Sequence, residues 1–168
     1  FGFGLSYTSF AYSDLKATSD SVTLTVTNTG SCDGAEIVQI YVAKPDAKVF
    51  RPVQELKGFE KVKLAAGESK CVAIPLDDKA FRYWNTMTNA WEIEGGHYEI
   101  RVGASCEDIR LTATVEVAGT GAPNPYAGIS LPHYESGKVM NVPDAEWEVL
   151  LDRPIPDDTV KIDCNMTL

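Results

Sequence analysis

Ser21-Val22-Thr23-Leu24-Thr25-Val26-Thr27 alternates apolar and hydroxyl-bearing residues without a break. An extended chain sends successive side chains to opposite faces, so Val22, Leu24 and Val26 share one face and the threonines the other. That pattern defines a strand buried on one side only. Working outward, Asn28-Thr-Gly30 and Asp33-Gly34 supply turn residues. Residues 35–42 then repeat the motif, with Val38, Ile40 and Val42 on one face and Gln39 and Tyr41 on the other.

The same reading extends across the chain. Residues 55–64 break their alternation at Gly58-Phe59, which predicts a bulge. In 70–76, Val72, Ile74 and Leu76 point inward, and Pro75, which cannot donate a ladder hydrogen bond, marks an edge strand. Residues 81–84 and 90–93 flank 85–89 as a small hairpin. Gly95-Gly96 turns the chain into 97–103, and 108–117 carries Ile109, Leu111, Ala113, Val115 and Val117 at every second position. Seven or eight short strands between residues 8 and 118, with turn signals roughly every 8–12 residues, predict an all-β two-sheet sandwich, immunoglobulin-like or fibronectin type III-like. No cysteine sits at the inward positions of the expected second and sixth strands, which favours the fibronectin-like form.

The ends of the chain differ from its middle. Phe1-Gly-Phe-Gly-Leu-Ser-Tyr7 interleaves aromatics with glycines, leaving Phe1, Phe3 and Tyr7 as an apolar edge. It reads as an interdomain linker over 1–7, with Phe1, Phe3 and Tyr7 as docking residues for a neighbour beyond this sequence. After Gly119 the glycines and prolines of 119–128 signal a linker, and 119–168 reads as a mostly irregular extension with one short helix over about 143–151. Pro143 suits its first turn, Asp144 and Glu146 suit its dipole, and Trp147, Leu150 and Leu151 form its apolar stripe. Such a helix cannot build a core alone, so the extension is expected to lie on a larger surface.

Composition bounds the function. The 168 residues are 44% hydrophobic and 23% charged, with a formal net charge of -9. That balance excludes a nucleic-acid partner, since no basic stripe exists to neutralise phosphates. No apolar run approaches the roughly 20 residues a membrane span needs. Cys32, Cys71, Cys106 and Cys164 have no metal-binding spacing. A Cys32–Cys106 disulfide at one end of the sandwich is the alternative to free thiols, which are expected. A bacterial cytoplasmic setting follows, with secretion left open. Asn165-Met-Thr167 matches a glycosylation sequon and carries no weight by itself.

No catalytic, metal or cofactor-binding residue is assigned. Asp77-Asp78, Asp157-Asp158, Glu92 and Glu94 read as solvated charges, and His97 and His133 lack companion ligands. There is no nucleophile elbow, phosphate loop or dinucleotide fingerprint. Tyr83, Trp84 and Trp91 admit two readings, a sugar-stacking platform or sandwich core, and the need of a sandwich for large residues favours core.

Residues 1–10, Phe-Gly-Phe-Gly-Leu-Ser-Tyr-Thr-Ser-Phe, resemble a segment of glycoside hydrolase family 3, the family of many β-glucosidases, that leads into its C-terminal fibronectin type III-like domain. The resemblance continues through Val26-Thr-Asn-Thr-Gly30, residues 34–42, Pro52, residues 55–62, Ala80-Phe81, Trp91, Gly96-His-Tyr98 and Val102-Gly-Ala-Ser105. In the extension, Leu131-Pro-His-Tyr134, residues 146–151, Arg153-Pro-Ile-Pro156 and Asn165-Met-Thr-Leu168 are similar to a subset of the family. There a glycine usually ends the helix before Arg-Pro; Asp152 stands here, which puts the left-handed cap in question. The resemblance implies a non-catalytic accessory domain of a β-glucosidase. Its partners would be the (β/α)8 barrel and α/β sandwich domains of the parent chain, and the β-glycoside substrate is the parent's. The alternatives are a carbohydrate-binding role through Tyr83, Trp84 and Trp91 or the 44–54 loop, which in the parent would reach the aglycone side of the active site, and an independent adhesion module.

Overall fold

The computed structural model describes residues 1–156, and the chain divides into two compact units, 1–125 and 126 onward. The first unit contains β1 (Phe10–Ala17), β2 (Ser21–Asn28), β3 (Gly34–Ala43), β4 (Glu55–Leu64), β5 (Ser69–Pro75), β6 (Arg82–Asn85), β7 (Ala90–Ile93), β8 (Gly96–Gly103) and β9 (Ile109–Val117). Two antiparallel sheets form, ordered β1-β2-β5 and β4-β3-β8-β9. β6 and β7 make a separate hairpin between β5 and β8.

Alternation builds the core. Val22, Leu24, Val26, Val72 and Ile74 project from the three-stranded sheet onto Val38, Ile40, Ile100 and Val102 of the four-stranded one, all nearly or fully buried. Each such side chain contributes about 1.5–3 kcal/mol relative to exposure, enough in sum to close the two layers. β5 is an edge strand and ends at Pro75, where the missing N–H costs no ladder bond. The bulge lies one residue ahead of its expected place. Ile40 faces Gly58 and Tyr41 faces Leu56, so Lys57 is the extra residue. Gly58 has a different cause: a Cβ there would come 2.8 Å from Ile74 Cγ2 of the opposite sheet.

The two outer faces differ. On the three-stranded sheet, the cross-strand neighbours Ala11–Thr27, Ser13–Thr25, Thr25–Cys71, Thr23–Ala73 and Thr27–Ser69 are all small. The four-stranded sheet instead places Ile37, Gln39 and Tyr41 of β3 and Phe59 of β4 outward. Residues 119–125, expected to open a linker, pack on the hairpin: the Thr120 N–H donates to Ile93 O and Asn85 Nδ2 to Pro123 O.

Within residues 126–156, α2 (Asp144–Leu151) occupies the predicted helix, with Pro143 as its N-cap residue. The expectation of a single helix needs correcting. α1 (Pro132–Glu135) and a 3-10 turn (Val139–Asn141) precede it, each too short to leave a periodic signature. Glu146 is buried and accepts from the His133 backbone N–H at 3.3 Å, with His133 Nδ1 2.5 Å from its carboxylate. Tyr134 meets Trp147 edge-to-face. Asp152 takes the left-handed conformation (φ 51°) that glycine would take more easily. Asp157-Asp158, Cys164 and residues 165–168 lie outside the described residues.

Candidate docking site

Residues 1–9 run as a strap fastened to the sandwich at two places. At one end, Cys106 N–H donates to Phe1 O, and Gln39 Nε2 reaches Gly2 O. At the other, Thr8 Oγ1 donates to Asn28 Oδ1 at 2.6 Å, Cys32 Sγ approaches Tyr7 O, and Thr29 N–H donates to Ser9 O. Thr8 fits because Gly30 and Gly34 present no Cβ; one at Gly34 would lie 2.5 Å from Thr8 Cγ2. Alternation does the rest. Phe1, Phe3, Leu5 and Tyr7 are 81%, 80%, 93% and 101% exposed, while the even positions hold only Gly2, Gly4, Ser6 and Thr8. Sequence reading named Phe1, Phe3 and Tyr7 but missed Leu5, although the period of two over 1–7 contains it.

Beneath the strap lies a polar layer. Gln39 is 4% exposed although it stands on the outer face. Its Nε2 donates to Ala104 O at 2.5 Å, and its Oε1 accepts from the Tyr41 hydroxyl at 2.6 Å. Gly2 (φ 77°) passes so close that a Cβ would meet the Gln39 amide below 3 Å. Between the two fastenings a cleft of about 400 Å³ opens under residues 2–6, floored by Ala35, Glu36, Ile37, Ser105, Asp108 and Arg110. Arg110 ties this rim together, bonding Asp108 at 2.8 Å and Phe10 O at 3.0 Å and stacking 4.7 Å from the centre of the Tyr12 ring. Burial raises the Glu36 carboxyl and the Tyr12 phenol, whereas the Arg110 hydrogen bond lowers Asp108.

The 44–54 loop is held as firmly as the strap. Arg51 donates to the Tyr98 hydroxyl at 3.2 Å and to Phe81 O at 3.1 Å, and pairs with Glu55 at 3.6 Å. Lys44 lies 4.8 Å above the Tyr98 ring and pairs with Asp46. The Glu94 carboxylate caps Lys48 N–H at 2.8 Å, and Gln54 Nε2 donates to Cys106 O at 2.8 Å. Val49 is buried, yet Phe50 and Val53 remain exposed on this fixed loop.

The hairpin brings only two of its three named aromatics together. Trp84 and Trp91 are cross-strand partners, 46% and 55% exposed, with ring centres 5.5 Å apart in an edge-to-face pair. Tyr83 pairs instead with Glu92, on the opposite side of the ribbon, where its hydroxyl accepts from Asn85. The expectation that these residues form sandwich core is therefore wrong. Between the tryptophans a pair contact suffices to staple a two-stranded ribbon that has no third strand. Arg82 covers one face of Trp91 at 4.6 Å.

Acid–base chemistry finds no constellation among the described residues. Asp77 caps a 3-10 turn, Asp78 pairs with Arg82, and Glu92 accepts from Thr88. The described residues hold no group of three or more potential metal ligands. Cys32, Cys71 and Cys106 are free thiols.

Residues 36–106 match the family model of the fibronectin type III-like domain, the class the two sheets define. Over 130 residues the chain is 49% identical to an exo-α-(1→6)-L-arabinopyranosidase of Bifidobacterium breve, a match covering 74% of the chain and 17% of that protein. It is 47% identical over 128 residues to the thermostable β-glucosidase B of Acetivibrio thermocellus, covering 71% and 17%. The crystal structure of a Bifidobacterium adolescentis family 3 β-glucosidase superposes with a TM-score of 0.69 at 42% identity, over 88% of this chain and 21% of that one. The chain belongs to the fibronectin type III-like domains of the β-glucosidase-like proteins of glycoside hydrolase family 3. It spans about a sixth of the length of the curated relatives it matches.

Proposed function

We propose that this chain is the non-catalytic accessory domain of a family 3 glycoside hydrolase and that it stabilises the catalytic domains by packing on them. One observation carries the reading: Phe1, Phe3, Leu5 and Tyr7 stand in solvent from a strap held to the sandwich at both ends. Such a row of large apolar side chains gains by being covered. The parent's hydrolysis and its β-glycoside substrate are taken from relatives named β-glucosidase, and its barrel and α/β partner domains from the family resemblance. Two relatives named for different sugars share this domain at 49% and 47% identity, which fits sugar choice lying elsewhere. The test replaces Phe1, Phe3, Leu5 and Tyr7 with serine in the full-length enzyme. Covering such side chains is worth about 1.5–3 kcal/mol each, so the unfolding temperature should drop by several degrees and glycosidase activity should fall with it. Unchanged stability and unchanged activity would defeat the reading.

A second reading, sugar contact by the hairpin, is favoured by the exposure of Trp84 and Trp91. Calorimetric titration with glucan oligomers decides it, and no heat at millimolar ligand removes it.

A further inference from the structure

Apart from Phe50 and the hairpin residues Trp84, Met87 and Trp91, the large exposed apolar side chains of the first unit fall on one face. Phe59 is the cross-strand neighbour of Gln39, and Gln39 holds Gly2 of the strap. Ile37, two residues from Gln39 on the same face, lines the cleft under the strap. Phe1 is bound to Cys106, and Cys106 O is bound by Gln54, the chain neighbour of Val53. The row Tyr7–Leu5–Phe3–Phe1 therefore continues into Val53 at one end and borders Ile37 and Phe59 along its side. The opposite sheet presents serine, threonine, alanine, Cys71 and Lys16.

We propose that the outer face of the β4-β3-β8-β9 sheet, with the strap across it, seats a neighbouring domain of the same polypeptide, and that Val53 and Phe59 form its second line of contact. This rests on the accessory-domain reading and adds which face docks and how far contact extends. The occupant follows from the path of the backbone. In a protein of the relatives' length, polypeptide joined to Phe1 meets the domain beside Cys106 and the Val53–Gln54 end of the loop, at the margin of this face. Rigidity supports the same assignment. Loop 44–54 is ordered by Arg51, Lys44 and Glu94 before any partner arrives, so little loop entropy is lost on contact. The middle of the face is fully paired through Gln39 and Tyr41, so covering it strands no buried polar group there.

Thiol labelling followed site by site with peptide mass spectrometry tests the proposal. Val53→Cys, Phe59→Cys and Phe3→Cys are each placed singly in the 168-residue chain and in the full-length protein, with native Cys71 as the reporter on the opposite face. All three positions are exposed, so the fold tolerates the changes. In the 168-residue chain, positions 3, 53 and 59 should react about as fast as Cys71. In the full-length protein all three should slow by roughly tenfold or more while Cys71 stays fast. Protection at 3 with none at 53 and 59 would overturn the face assignment and leave the accessory-domain reading standing. Protection at Cys71 alone would assign the other face, and no protection anywhere would overturn both.

Discussion

Gly2 shows how one residue without a side chain sets a surface. Its positive φ and its contact with the Gln39 amide both exclude a Cβ. Gly2→Ala should lift the strap, and the loss is read at Cys106, whose N–H donates to Phe1 O. Amide exchange at Cys106 should accelerate by roughly tenfold, while exchange in β2 stays unchanged; equal protection in both proteins would refute the account. Glu36 gives a second residue-level test. Burial raises its carboxyl, opposed by the Ile37 N–H and by Arg110, while nearby Asp108 pushes the same way as burial. A carboxyl with a raised folded pKa holds its proton more tightly in the native state. Its stabilisation is complete below the unfolded value and is lost as pH rises through the folded one. Glu36→Gln is blind to that loss, so in urea unfolding the variant should gain on the native protein as pH rises above the ordinary glutamate value of about 4. A stability difference that does not change with pH would contradict it.

At the scale of elements, the β6–β7 hairpin depends on Asn85 more than on its tryptophans. Asn85 is fully buried; its Oδ1 accepts from Met87 N–H at 2.9 Å, and its Nδ2 donates to Tyr83 Oη and Pro123 O. Asn85→Ala leaves several of these groups without partners and should cost about 1–3 kcal/mol in denaturant unfolding, with the hairpin and residues 119–125 loosening together. A change below about 0.5 kcal/mol would show that water replaces the side chain freely. The strands themselves were legible because alternation in 21–27 or 109–117 is a direct imprint of one-sided burial. The hairpin aromatics were misread for the same reason. Trp84 and Trp91 carry the composition of a core strand, but their ribbon joins neither sheet, and nothing local in the sequence records that. α1 escaped notice because four residues hold a single turn.

For the whole molecule, the sequence places the start of the sandwich near residue 8, and the structure ties the chain to it as far back as Phe1 and Gly2. Composition cannot reveal that Gln39 on an outward position is buried, because its cover comes from residues 1–2 and 104, far away in the chain. A chain beginning at Thr8 should fold but lose about 1 kcal/mol, as Gln39 Nε2 gives up Gly2 O. Chemical unfolding against the 168-residue chain measures it, and identical midpoints would argue against the strap as part of the domain. The two fastenings of that strap, at Gly2 and Thr8, are joined by a chain that reaches at most about 20 Å. A polypeptide gripped at two separated points cannot swivel about one. Polypeptide joined at Phe1 would thus start from a mount and not from a free tether, which shortens the search a docking partner makes and raises its effective concentration at the seat.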